Sequence, residues 1–289
     1  MLQTPKKTRV ARNSKKFIEF LLLAVLFIFS YCKKVNAPEE GNMDKFNAEW
    51  QLVWQDEFNT SQIDGSKWNF EIGAGGWGND ELEFYTNRHE NAYIENGQLV
   101  IEARKDNYQG NTYTSARMTT KNKGDWLYGR IEVRARLPRG QGLWPAIWMM
   151  PTDNYYGSWA ASGEIDIMEL LGNDVNTVYG TIHYGGSFPA NVHSGAQYKL
   201  SQAPNFADGF HTFALEWDST KISWFVDDSL YQEQSDWYTG HETFPAPFNK
   251  RFFLILNVAV GGTWPGYPDA STTFPQKMRV EYVRVYQKP

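Results

Sequence analysis

Short runs of alternating apolar and polar residues make up most of this chain after Trp50, and they predict strands. In Gly129–Leu137, every second residue from Ile131 to Leu137 is apolar and the residues between them are charged, which is the period of a half-buried strand. No long amphipathic helix and no repeat of fixed period is evident, so propellers and solenoids are disfavoured. The chain is therefore predicted to be all-β. The runs are Gln98–Arg104, Gly129–Leu137, Ala146–Met150, Val178–Tyr184, Thr212–Trp217, Ile222–Val226, Phe252–Val258 and Arg279–Tyr286.

One further apolar segment carries three acids. Glu164 and Asp166 are two residues apart, so on a strand they point to the same face. Glu169 would point to the opposite face unless an extra residue, predicted to be Met168, forms a β-bulge. The sequence therefore predicts a row of three carboxyl groups along one face of a sheet.

Such a row suits the hydrolysis of a sugar–sugar bond, which needs two carboxyl groups that flank the bond. Closely spaced acids raise one another's proton affinity, so a neutral acid can stand beside an ionised nucleophile. The alternatives are a solvated face of an edge strand or acids that bind calcium. Trp144, Trp148 and Trp159 crowd the same region, and solvated faces seldom carry such aromatic residues.

Length and charge limit the classes of function. A chain of 289 residues with 16% aromatic and 21% charged residues can form one large all-β domain. The formal net charge is −5, and the lysines and arginines of residues 1–32 outnumber their single acid, so the remainder is more acidic still. This balance argues against a nucleic-acid partner, which needs a basic face.

The N-terminal residues have the pattern of an export signal. A basic stretch at 5–16 precedes the apolar stretch Phe20–Tyr31, which is too short for a membrane span. The single cysteine, Cys32, follows directly, as in a bacterial lipoprotein signal, although Tyr31 departs from the usual small residue. We expect an exported cell-envelope lipoprotein, at the outer membrane or surface, whose only membrane contact is a lipid on Cys32. The alternative is an ordinary signal peptide with an incidental cysteine and free secretion, and fatty-acid labelling would distinguish the two.

These features divide the chain into three segments. Residues 1–32 are the predicted signal peptide, residues 33–48 the predicted linker and residues 49–289 the predicted catalytic domain. Since there is only one cysteine, a disulfide within the chain is excluded.

The motifs together carry a resemblance to a known family. The string Trp144–Met150, followed by Gly163–Glu169, resembles glycoside hydrolase family 16 in its laminarinase-like, endo-β-1,3-glucanase branch. The resemblance covers about residues 50 to 287. Further strings that match are Gly76–Glu81 with Tyr85–Thr86, Tyr113–Arg117, Phe210–Trp217, Leu256–Gly262 and Val280–Tyr286.

The resemblance implies a concanavalin-like β-jelly-roll sandwich with a concave substrate cleft. It implies a retaining endo-β-1,3-glucanase in which Glu164 is the nucleophile, Glu169 the general acid/base and Asp166 an assisting acid. The expected partner is a β-glucan polysaccharide, and the expected state is a monomer. The alternatives are an enzyme that cuts mixed-linkage glucan or an algal galactan, and a glucan-binding protein without catalysis.

The resemblance also assigns substrate-binding residues. Aromatic platforms suit the apolar faces of sugars, but any one tryptophan could equally fill the core. Trp144 and Trp148 are favoured for the cleft because a four-residue step keeps them on one strand face. Arg117 could instead form a salt bridge, and His183 could be a structural histidine. The candidates are Trp77, Trp126, Trp144, Trp148, Trp159, Trp264, Asn79, Glu81, Arg117 and His183.

Metal chemistry is not expected at the catalytic centre. No histidine or cysteine set has metal-ligand spacing, so no cofactor is required for catalysis. The resemblance does imply a structural calcium ion at Glu57, Gly97 and Glu281, where glutamate replaces the usual aspartate.

Overall fold

The computed structural model describes residues 50–289, which form β-strands and loops without a helix. No helix that could span a membrane is therefore found among them. The predicted signal peptide (1–32), linker (33–48) and Cys32 lie outside the described residues. The strands are β1 Gln51–Asp56, β2 Asn69–Glu71, β3 Glu83–Tyr85, β4 Ala92–Glu95, β5 Gln98–Tyr108, β6 Asn111–Ser115, β7 Arg117–Thr119, β8 Asp125–Trp126, β9 Gly129–Arg136, β10 Leu143–Pro151, β11 Glu164–Glu169, β12 Thr177–Gly185, β13 Asn191–Lys199, β14 His211–Trp217, β15 Ile222–Val226, β16 Ser229–Gln234, β17 Phe252–Val260 and β18 Gln276–Gln287.

The strands form two sheets, which we call the cleft sheet and the outer sheet. The cleft sheet has the order β13-β12-β11-β10-β17-β7-β2, with β8 paired to β17. The outer sheet has the order β16-β15-β14-β9-β18-β5-β6-β3, with β1 paired to β18 and β4 to β5. All pairs are antiparallel except β3 with β6. The all-β prediction is confirmed.

The core lies between the sheets, where alternation places the apolar side chains. In β9, Ile131, Val133 and Ala135 are buried in it, as the sequence pattern predicts. In β17 every residue is buried, because this strand is central in the cleft sheet and is also covered on its cleft side. Asn257 is the polar exception within that strand.

Each of the eight alternating runs coincides with an observed strand: β5, β9, β10, β12, β14, β15, β17 and β18. The acid-bearing segment is β11. It lies in the cleft sheet between β10 and β12. Backbone hydrogen bonds to both neighbouring strands therefore fix the strand that carries the three carboxyl groups.

Candidate active site

A β-bulge in β11 aligns the three acids, as predicted. In the register with β12, Glu164 faces His183, Asp166 faces Thr181 and Glu169 faces Tyr179. Three residues of β11 therefore span the length of two in β12 between Asp166 and Glu169. The extra residue returns Glu169 to the face of the other acids.

The predicted identity of the bulge residue is wrong. Met168 pairs with Ile147 of β10, and Ile167 is the residue left without a partner there. Both Ile167 and Met168 are buried in the core, since two consecutive side chains of the bulge point inward. Two adjacent apolar residues give no sequence signal for which of them is unpaired.

The acid row lies in a cleft with a cavity volume of about 990 Å³. Glu164 and Glu169 are half-buried, whereas Asp166 is only 2% exposed. All of the predicted substrate-binding residues except Trp126 line the same cleft, and so do several that received no prediction, among them Tyr179, Thr181, His193 and Asn257.

Each glutamate accepts a hydrogen bond from an indole. The Trp159 Nε1–H donates to Oε2 of Glu164 at 2.7 Å, and the Trp144 Nε1–H donates to Oε1 of Glu169 at 3.0 Å. These bonds fix the two carboxyl groups at separate places in the row. Both tryptophans line the cleft, as predicted, and each contacts one of the acids directly.

His183 lies beside the acids on β12. Its Nε2 is 3.7 Å from Oε1 of Glu164 and 3.3 Å from Oδ2 of Asp166. The structure therefore places it next to these two acids. A histidine beside two carboxyl groups favours their charged form.

Burial is the main influence on the acids' proton affinity. Burial, and then the charge of Asp166, raise the pKa of Glu164 to about 8. Burial also raises the pKa of Asp166. The pKa of Glu169 is raised well above its usual value by burial and then by the charges of both Asp166 and Glu164. Glu169 therefore faces two like charges, which suits a group that must hold a proton.

A chain of hydrogen bonds supports the other wall of the cleft. The Trp148 Nε1–H donates to Oδ1 of Asn257 at 2.7 Å, and Asn257 donates to the hydroxyl of Tyr85 at 3.1 Å. Tyr85 donates to Glu81 at 3.0 Å, which also accepts from Asn79 at 3.1 Å. Tyr85 and Asn257 were not among the predicted site residues. A lone asparagine within the apolar run Phe252–Val258 was the available signal.

Arg117 forms the salt bridge that was one of its two predicted roles, and it also lines the cleft. It forms an ion pair with Glu71, and its guanidinium lies over the rings of Trp77 at 4.8 Å and Trp148 at 4.6 Å. Its guanidinium thus contacts two of the aromatic side chains that line the cleft.

The tryptophans divide between cleft and core. Trp264 packs edge-on against Trp144 at 5.5 Å and against Tyr179 at 5.0 Å between ring centroids, at the Glu169 end of the cleft. Trp126 was predicted to line the cleft, and this prediction is wrong. It is buried in the core and packs against Trp54 at 5.4 Å.

The predicted calcium ligands are engaged by arginines. Glu57 accepts two hydrogen bonds from Arg284, at 2.8 and 2.9 Å, and Glu281 accepts one from Arg134 at 2.6 Å. Both carboxylates are paired with guanidinium groups. The structural calcium ion at Glu57, Gly97 and Glu281 stays a prediction, since such a site also uses main-chain oxygens.

A buried acid behind the cleft gives a test of the site's electrostatics. Glu83 is fully buried, and its Oε2 accepts a hydrogen bond from the backbone N–H of Val260 at 2.6 Å. Burial, and then the charge of Glu81, raise the pKa of Glu83 well above its usual value. Its protonated form therefore contributes stability at low pH that is lost as the pH rises through the folded-state pKa.

We expect Glu83→Gln, which cannot ionise, to become more stable relative to the wild type as the pH rises. Urea unfolding of both proteins at about pH 5 and about pH 9 measures this difference in the free energy of unfolding. If the difference in the free energy of unfolding were the same at both pH values, Glu83 would already be ionised in the folded protein at the lower one.

An all-β sandwich whose aromatic cleft holds a row of carboxyl groups defines a class of proteins that act on polysaccharides. Residues 78–284 match Glycosyl hydrolases family 16, and the chain belongs to this family of glycoside hydrolases. The predicted family and fold class are both confirmed.

Similar proteins include several glucanases. The chain is 46% identical to the beta-glucanase of Rhodothermus marinus over 253 residues, which are 82% of this chain and 85% of that protein. It is 43% identical to glucan endo-1,3-beta-glucosidase A1 of Niallia circulans over 258 residues, which are 82% of this chain but only 38% of that longer protein. The catalytic domain of an endo-1,3-beta-glucanase (laminarinase) from Thermotoga petrophila superimposes with a TM-score of 0.74 at 48% identity, covering 83% of this chain and 99% of that structure.

Proposed function

We propose that the protein is a retaining, endo-acting hydrolase of laminarin-type β-1,3-glucan. The observation that carries the proposal is the bulged strand β11, which presents Glu164, Asp166 and Glu169 on one face of the cleft. The similarity to β-1,3-glucanases supports the choice of substrate. The cleft's aromatic walls suit sugar rings, whose C–H faces pack against indoles.

In the first step, Glu169 donates its proton to the glycosidic oxygen while the Glu164 carboxylate attacks the anomeric carbon. The bond between that carbon and the glycosidic oxygen breaks, its electron pair stays on the oxygen, and the leaving chain departs as an alcohol. The sugar is then held as an ester of Glu164. The raised pKa of Glu169 suits this step, because a general acid must be protonated before it acts.

In the second step, Glu169 is a carboxylate and acts as a general base. It takes a proton from water as the water oxygen attacks the anomeric carbon, and the ester bond to Glu164 breaks. Glu164 leaves as a carboxylate, so both acids return to their starting protonation states. The Trp159 indole donates to Glu164 and stabilises this leaving carboxylate.

The roles of Asp166 and the walls follow from position. Asp166 stands between the two glutamates, and its charge raises the pKa of both. A proton on Asp166 removes that repulsion and can be donated to Glu164, which tunes the nucleophile. Trp144, Trp159 and Trp264 give the sugar chain apolar surfaces around the bond to be cut.

Product analysis tests the proposed substrate and mechanism together. We expect laminarin to yield a ladder of short oligosaccharides rather than glucose alone, and proton NMR to show the β-anomer of the new reducing end before mutarotation. Mixed-linkage glucan and agarose, incubated in parallel, test the alternative substrates. An initial α-anomer would contradict double displacement, and cleavage of agarose alone would contradict the assigned substrate.

A further inference from the structure

Glu164, Asp166 and His183 also form a cluster of metal-binding groups. One donor atom from each of the three side chains lies within 4.8 Å of the other two, and among the described residues this is the cluster that gathers three such groups. The three donors are an imidazole nitrogen and two carboxylate oxygens, and zinc binds both kinds of atom in proteins.

The distances around His183 fit the coordination sphere of a zinc-sized ion. Ligands bound at about 2.0–2.2 Å in a tetrahedron lie about 3.3–3.6 Å from one another. Nε2 of His183 is 3.3 Å from Oδ2 of Asp166 and 3.7 Å from Oε1 of Glu164. Two edges of the tetrahedron are therefore already close to their bound length.

A second observation points to a missing partner. Asp166 is only 2% exposed, and its Oδ2, the atom that faces His183, has no hydrogen-bond partner within residues 50–289. Buried oxygens in folded proteins nearly always have one. A cation held between this oxygen, Glu164 and His183 would supply that partner and screen the repulsion between the two acids.

We propose that Glu164, Asp166 and His183 bind a divalent transition-metal ion of the zinc type, and that the bound ion inhibits the enzyme. The imidazole ligand selects zinc or copper over magnesium or calcium, which take oxygen ligands at higher coordination number. In the part of the chain that the structure describes, Nδ1 of His183 has no hydrogen-bond partner. The ring therefore lacks the outer hydrogen bond of dedicated zinc sites, and the zinc affinity is moderate. The inhibition, unlike the binding, rests on the proposed function, because it requires Glu164 to be the nucleophile.

Calorimetric titration with zinc chloride tests the binding directly. The full chain should carry Cys32→Ser, since its single thiol is itself a strong zinc ligand. We expect one zinc ion per chain, no heat from magnesium chloride, and an affinity at least about tenfold lower in His183→Gln. Asp166→Asn provides a second ligand deletion, and circular dichroism verifies that each variant is folded.

His193→Gln is the matched control. His193 also lines the cleft, and its ring centroid lies 5.6 Å from that of His183, but it is outside the cluster. We expect this variant to keep wild-type zinc affinity. Absence of binding, full binding in folded His183→Gln, or loss of binding in His193→Gln would each overturn the proposed site. Zinc that binds one to one through His183 without slowing hydrolysis would overturn the proposed inhibition and leave the binding site intact.

Discussion

Glu164→Gln and Glu169→Gln are each expected to lose nearly all turnover of laminarin while remaining folded. Replacing a carboxyl by an amide conserves shape and the indole hydrogen bonds from Trp159 and Trp144, but removes the nucleophile or the transferable proton. General acid–base catalysis alone contributes about 10²–10⁴-fold in rate, so we expect kcat to fall at least that far. Initial rates on laminarin, with circular dichroism as the folding check, measure the effect.

Glu90→Gln is the matched control, because Glu90 is exposed and takes no part in the cleft. It should keep wild-type kcat. Near-wild-type hydrolysis by either cleft variant would contradict the assigned roles.

Alanine variants with added azide distinguish the two roles. In Glu164→Ala, azide can take the place of the missing nucleophile and attack from the face that Glu164 would use, giving an α-glycosyl azide. In Glu169→Ala, the ester on Glu164 can still form. Azide then attacks its anomeric carbon from the face opposite Glu164 and gives a β-glycosyl azide. Exchange of these two products between the variants would mean that the roles are reversed.

The fold could be predicted largely from alternation. Gly129–Leu137 shows a strict contrast between core-facing and outward side chains, and it became a strand with almost the predicted bounds. Short strands such as β3 and β8 have only three and two residues, too few to show a period. Their pairing depends on contacts distant in sequence, which a local pattern does not contain.

The part of the site that lies on a single strand could be predicted from the sequence. Glu164, Asp166 and Glu169 could be aligned from the period of β11 and a single bulge. The wall built by Tyr85, Asn257 and Trp148 could not, because its members come from β3 of the outer sheet and from β17 and β10 of the cleft sheet, and they meet only when the two sheets assemble. Trp126 was misassigned for a related reason: an isolated tryptophan looks the same in sequence whether it lines a cleft or fills the core.

One core residue links the outer sheet to the acid row. Trp224 of β15 is fully buried, and its Nε1–H donates at 2.8 Å to the backbone carbonyl of Asp166, just before the bulge. A Cβ at Gly180 would lie 2.5 Å from the indole, so the ring packs directly on the backbone of β12. Trp224 thus fills the core and also supports the strand that presents the acids.

We therefore expect Trp224→Ala to lower the free energy of unfolding by about 3–5 kcal/mol, as for other buried aromatic residues. Trp224→Phe keeps most of the packing but leaves the Asp166 carbonyl without its donor, at about 1–3 kcal/mol, and should lower kcat because the acid row loses its support. Urea unfolding and initial rates on laminarin measure the two effects.

Leu230→Ala, at a side chain that is 54% exposed on β16, is the control and should change stability by less than about 0.5 kcal/mol. A Phe variant as active and as stable as the wild type would show that the hydrogen bond from the outer sheet is not needed to hold the acid row in place.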